Sequence, residues 1–74
     1  MTNRVPETTL QNQLLNELRK TKAKTDVFLI NGVKLHGTIV AFDAFSVLLA
    51  YNGQMQLIYK SAISTIAPLQ AVTL

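Results

Sequence analysis

From Ala44 to Leu74 the chain carries one charged side chain, Lys60. No other feature constrains the fold as strongly. A stretch this apolar, rich in β-branched and aromatic residues, cannot lie open to water, because unpaired strand edges of that kind aggregate. It has to be covered, and 74 residues leave little else to cover it with. A domain of this size buries only about 60% of its unfolded surface and is marginal alone. Cysteine is absent, so neither a disulfide nor a thiolate metal site reinforces it. With 49% apolar and 15% charged residues the chain is too apolar for disorder. Self-association is the simplest way to bury the excess, because it adds buried area without adding chain.

The charge balance narrows the function classes. Seven Lys or Arg against four Asp or Glu give +3. That is mild in one chain, but repeated around a ring it becomes a field that attracts polyanions. No run of about 20 apolar residues exists, so no membrane span is expected. Met1-Thr2-Asn3-Arg4 lacks the apolar core of a signal peptide, which points to the cytoplasm. Enzyme chemistry has little to work with. His36 is the single histidine, and Glu7, Glu17, Asp26 and Asp43 show no metal-ligand or nucleophile spacing. Lys60 and Ser61 are adjacent, and neighbours on a strand face opposite ways, so they do not make a Ser–Lys pair. No catalytic residue, metal or cofactor is expected.

Read in order, residues 1–7 form a frayed arm, with Pro6 unable to continue a helix. A helix is predicted over 8–22. Thr8 and Gln11 have capping-box spacing, and Leu10, Leu14, Leu15 and Leu18 make one apolar face. Arg19, Lys20, Lys22 and Lys24 suit the negative end of a helix dipole. From Thr25 every signal is β, with all strands within 25–67. Val27-Phe28-Leu29-Ile30 reads as a strand buried on both sides or touching a partner. Asn31-Gly32 and Asn52-Gly53 are hairpin turns. Val33, Leu35, Ile39 and Ala41 alternate with Lys34, His36, Thr38 and Val40, and Gly37 marks a bulge or bend. Phe42-Asp43-Ala44 is a turn. Phe45, Val47, Leu49 and Tyr51 form the next face, followed by Met55, Leu57 and Tyr59. Leu57 to Thr65 is two short strands meeting at a bend, and Pro68 ends the last strand. Residues 69–74 are a short tail.

One helix followed by five short bent strands argues for a mainly β fold, a small open barrel with two free edges. Pairing the edge of one chain with the edge of the next around a closed ring removes the aggregation liability.

Val27-Phe28-Leu29-Ile30-Asn31-Gly32-Val33-Lys34-Leu35-His36-Gly37, continued by Phe42-Asp43-Ala44-Phe45-Ser46-Val47-Leu48-Leu49, resembles the first Sm motif as the Hfq family writes it. Gln56-Leu57-Ile58-Tyr59-Lys60-Ser61-Ala62-Ile63-Ser64-Thr65 is similar to the second. Leu10-Gln11 with Leu14-Leu15-Asn16-Glu17-Leu18-Arg19-Lys20 looks like the family's N-terminal helix. The match runs from Leu10 to Pro68 in the family's order. The resemblance implies an Sm-like, SH3-like open barrel over 8–68, assembled as a homohexameric ring. It implies an RNA chaperone, without catalytic activity, that pairs small regulatory RNAs with messenger RNAs.

Three binding surfaces are implied with it. Around the pore, on the proximal face, U-rich RNA would meet Gln11, Asp43, Phe45, Tyr59, Lys60 and Ser61. On the distal face, A-rich RNA would meet Phe28, Leu29, Asn31, Gly32, Val33, Lys34, His36, Gln56 and Thr65. The rim would use Asn16, Arg19, Lys20 and Lys22. On residue type alone, Phe45 and Tyr59 read as core aromatics and Lys60 as a charged gatekeeper on a strand edge. His36 reads as a solvent-facing histidine, and the basic run as a solvated helix end. Three positions depart from the family pattern: Ser61 stands where histidine is usual, Ala44 where glutamine is frequent, and His36 where an amide is common. Ser61 and Ala44 remove polar reach from the proximal pocket. The alternative they raise is a ring that serves mainly as a protein-interaction scaffold.

Overall fold

The structure, a computed structural model, describes residues 10–73. The arm assigned to 1–7 and the cap assigned to Thr8 lie outside the described residues. A helix, α1, spans Leu10–Thr21. Its apolar stripe divides as the helical period requires. Leu15 and Leu18 are fully buried and Leu14 is half-buried, whereas Leu10 is exposed. Lys22 has φ 56°, and this left-handed residue ends the helix one position inside the predicted limit.

Five strands follow: β1 (Thr25–Leu29), β2 (Lys34–Phe42), β3 (Ser46–Tyr51), β4 (Gln54–Tyr59) and β5 (Ile63–Pro68). A single 3-10 turn, Lys60–Ala62, makes the bend between the last two. All pairings are antiparallel, in the order β4-β3-β2-β1-β5. β4 and β5 therefore stand at opposite edges of a bent sheet that does not close, the open barrel expected. The core joins Leu15, Leu18 and Ala23 to Val27, Ile39, Val47, Leu49 and Ile58. The helix thus seals the inner face of the sheet, which fixes where its outer face and its final bend can point.

The two Asn-Gly turns differ. Asn52 and Gly53 both have positive φ, 54° and 81°, joining the paired Tyr51 and Gln54 in a two-residue hairpin. At the first turn only Gly32 is left-handed, with φ 92°. Leu29 N donates to Val33 O at 2.8 Å and Gly32 N donates to Leu29 O at 2.9 Å. This is a three-residue loop, Ile30-Asn31-Gly32, and its left-handed glycine is the usual bulge position.

The burial pattern departs from expectation at several points. Val27 is fully buried, but Phe28 and Ile30 are exposed, so β1 is covered on one side only. The bulge in β2 is at Val40, between the pairs Ile39↔Leu49 and Ala41↔Leu48. Gly37 is needed for a different reason. A Cβ there would stand 2.3 Å from the Ala50 carbonyl oxygen, so the glycine allows a close backbone approach. The bulge shifts the alternation, and Ala41 becomes exposed while Phe42 extends the strand. Met55, Leu57 and Tyr59, on edge strand β4, are exposed.

Candidate functional site

The bend after β4 gathers the first group of side chains. Tyr59 pairs with Ser46, and the next backbone amide, Lys60 N, donates to Phe45 O at 2.8 Å. The turn holding Phe45 is thereby tied to the bend holding Lys60 and Ser61. Phe45 is 77% exposed and Tyr59 63%, so neither is the core aromatic that residue type alone suggests. Lys60 is half-buried. Its Nζ donates to Asn12 Oδ1 at 2.9 Å and lies 5.6 Å from the centre of the Phe42 ring. Asn12 and Phe42 were not legible as partners of Lys60, because only the fold brings the first turn of α1 to the bend. Gln11 instead lies along a cleft with Leu10, Leu14, Ile63, Ser64 and Ile66.

Asp43 serves the turn. Its Oδ1 accepts from Phe45 N at 2.9 Å, Ser46 N at 2.8 Å and Ser46 Oγ at 2.8 Å. The bond from Phe45 N, then those from Ser46, with Lys60 adding a smaller pull, hold the carboxyl below its ordinary range. A carboxyl with a depressed folded-state pKa stabilises the fold above its unfolded value and loses that contribution as pH falls through the folded one. Asp43→Ala is therefore expected to lower the thermal midpoint at pH 7, with the deficit shrinking below the ordinary carboxylate range. Melting curves from pH 7 to pH 2.5 check this. A deficit constant across that range would mean that the ionised carboxylate is not what holds the turn.

The second group occupies the outer face of β1 and β2. Cross-strand partners share a side of a sheet, as do residues two apart on a strand. The pairs Asp26↔His36, Phe28↔Lys34 and Phe28↔Thr65 thus place five side chains together on the side opposite buried Val27. Leu29, Asn31, Gly32 and Val33 belong to the adjoining turn, where Asn31 Oδ1 accepts from Val33 N at 3.0 Å. Gln56 does not join them. It lies on edge strand β4, with β3 and β2 between it and β1. Asp26 was missed as a member of this group. His36 Nδ1 and Asp26 Oδ1 are 2.7 Å apart, and Tyr51 meets the His36 ring edge-on at 5.5 Å.

The third group is the helix end. Arg19 Nη2 donates to Asn16 Oδ1. Lys20 approaches Glu17 at 3.8 Å, one turn back, so part of the basic run is offset by an acid that lies outside it in sequence. Lys22 and Lys24 are exposed. Among the described residues no three His, Asp or Glu lie close enough to hold a metal ion, and no helix is long and apolar enough to cross a membrane.

Comparison with known proteins gives a consistent result. The model of the Hfq protein family matches residues 10–73. RNA-binding protein Hfq of Ruegeria pomeroyi is 58% identical over 65 residues, covering 88% of this chain and 82% of the relative. The protein of the same name from Cereibacter sphaeroides is 57% identical over 65 residues, covering 88% and 84%. A crystal structure of the pleiotropic translational regulator Hfq superposes with a TM-score of 0.77 at 34% identity, covering 80% of this chain and 98% of that one. With the helix, the five-stranded open sheet and both motifs in place, the chain belongs to the Hfq family.

Proposed function

We propose that this protein is an RNA-binding chaperone that works in the cytoplasm as a homohexameric ring, pairing U-rich small regulatory RNAs with A-rich messenger RNAs. The ring unit is the segment 8–68, and 69–74 is its tail. The proximal surface uses Asp43, Phe45, Tyr59, Lys60 and Ser61, with Gln11 reaching it from the cleft it shares with Ile63 and Ser64. The distal one uses Phe28, Lys34, His36 and Thr65 with the neighbouring turn, and takes Gln56 from an adjacent subunit. Asn16, Arg19, Lys20 and Lys22 form the rim. The work is binding and positioning, with no catalytic step.

The observation that carries this proposal is the exposure of Phe45 and Tyr59 beside Lys60. Aromatic faces open to water cost hydrophobic free energy, and bases stacked on them recover it, with a cation at hand for phosphate. Asp43 tends the turn that presents Phe45, so its part is to shape the site. Fluorescence anisotropy with oligo-U and oligo-A at two salt concentrations tests the proposal. Both oligomers are expected to bind, with affinity falling as salt rises. Failure of both to bind at low salt would reject it.

A further inference from the structure

We propose that Asp26 is a positioning residue that fixes the tautomer of His36 and so gives the outer face of β1 and β2 a preference for bases carrying an exocyclic amino group, adenine first. The inference rests on the proposed RNA binding at that face. A carboxylate only accepts, so across the 2.7 Å contact the hydrogen sits on His36 Nδ1. In the neutral ring the other nitrogen, Nε2, is then an acceptor and lies on the far side of the ring from Asp26. The two residues are direct cross-strand partners, so the sheet itself sets their contact. The His36 side chain is 37% exposed against 16% for Asp26, which leaves the ring reachable and the carboxylate behind it. Tyr51 packs against the ring in a T-shaped contact. Phe28 and Lys34 share the face, a stacking ring and a cation two residues along each strand.

An acceptor fixed beside a stacking platform takes the adenine amino group. A side-chain amide, by rotating, offers a donor or an acceptor and makes no such choice. Asp26→Asn tests the device with almost no change of size. Its amide can donate to Nδ1 as well as accept from it, so the hydrogen is no longer held on Nδ1 and Nε2 is no longer fixed as an acceptor.

His36 is the sole histidine, so nitrogen NMR of the full chain at pH 8 reads one ring without assignment. The wild type is expected to show the Nδ1–H form and Asp26→Asn a shift toward Nε2–H. An Nε2–H form in the wild type would overturn the proposal. Binding is then compared between oligo-A and the same oligomer built from purine riboside, which lacks only the amino group. Wild type is expected to lose about 3–10-fold on removal of the amine, the scale of one hydrogen bond. Asp26→Asn and His36→Phe are expected to lose less than about twofold, so the result does not hang on one variant folding. Equal losses in all three chains would overturn the positioning role while leaving RNA binding at this face intact. If the wild type binds no oligo-A, the RNA reading of the face fails, and this inference fails with it.

Discussion

Gly37→Ala is expected to be the most damaging single-methyl change in the chain. Its added carbon would meet the Ala50 carbonyl oxygen at 2.3 Å and the Leu49 side chain at 3.2 Å. The first neighbour is backbone, held by the β2–β3 ladder through Thr38↔Ala50, so it cannot swing aside as a side chain tip would. Relief requires the two strands to separate where Ile39 and Leu49 join the core. Overpacking of this kind costs about 1–3 kcal/mol or more. The entropy gained by removing a glycine from the unfolded chain offsets only about 0.4–1 kcal/mol. In a domain this small each kcal/mol shifts the midpoint by roughly 4–8 °C. Calorimetry should therefore show a midpoint lowered by several degrees at least, or no cooperative transition. An unchanged midpoint would mean that the Ala50 carbonyl does not lie this close to Gly37.

Phe28→Ala is expected to have the largest effect on binding. Phe28 is exposed on the outer face, lies outside the core cluster and pairs with Lys34 and Thr65, so truncation leaves the fold standing. What it removes is a stacking surface, worth about 1–3 kcal/mol per base, or roughly 5- to 150-fold in affinity. The loss should fall on oligo-A, with oligo-U nearly unaffected, because Phe45, Tyr59 and Lys60 stand elsewhere, at the bend after β4. Paired titrations of wild type and variant measure the difference. Equal loss for both RNAs with unchanged melting would make the two-surface description untenable.

Much of this was legible in the sequence because it depends on local chemistry. The leucine period located the helix, the two Asn-Gly pairs located the hairpins, and the lone Lys60 marked the bend. What was not legible depends on register, which no short window contains. The bulge at Val40 reverses the alternation near Ala41, and nothing at Val40 itself announces it. Gly37 was read as a bulge or bend; the bulge stands at Val40 instead, and the close approach of the Ala50 carbonyl to Gly37 comes from more than ten residues away. Lys60 meets Asn12 across 48 residues of sequence, so an edge charge became a bridge to the helix. Asp26 and His36 meet only because the loop at Gly32 has three residues. A two-residue turn would have slipped the pairing and parted them. Residue type alone reads Phe45 and Tyr59 as core, since aromatics are usually buried, whereas the fold leaves both exposed.

Native mass spectrometry of the full chain mixed with oligo-U and oligo-A together separates the proposed six-membered ring with two distinct RNA surfaces from its alternatives. A species of six chains carrying one of each RNA is the predicted result. A monomer would contradict the ring, a hexamer that takes either RNA but never both would contradict the separate surfaces, and a hexamer that takes neither would return the protein-scaffold alternative.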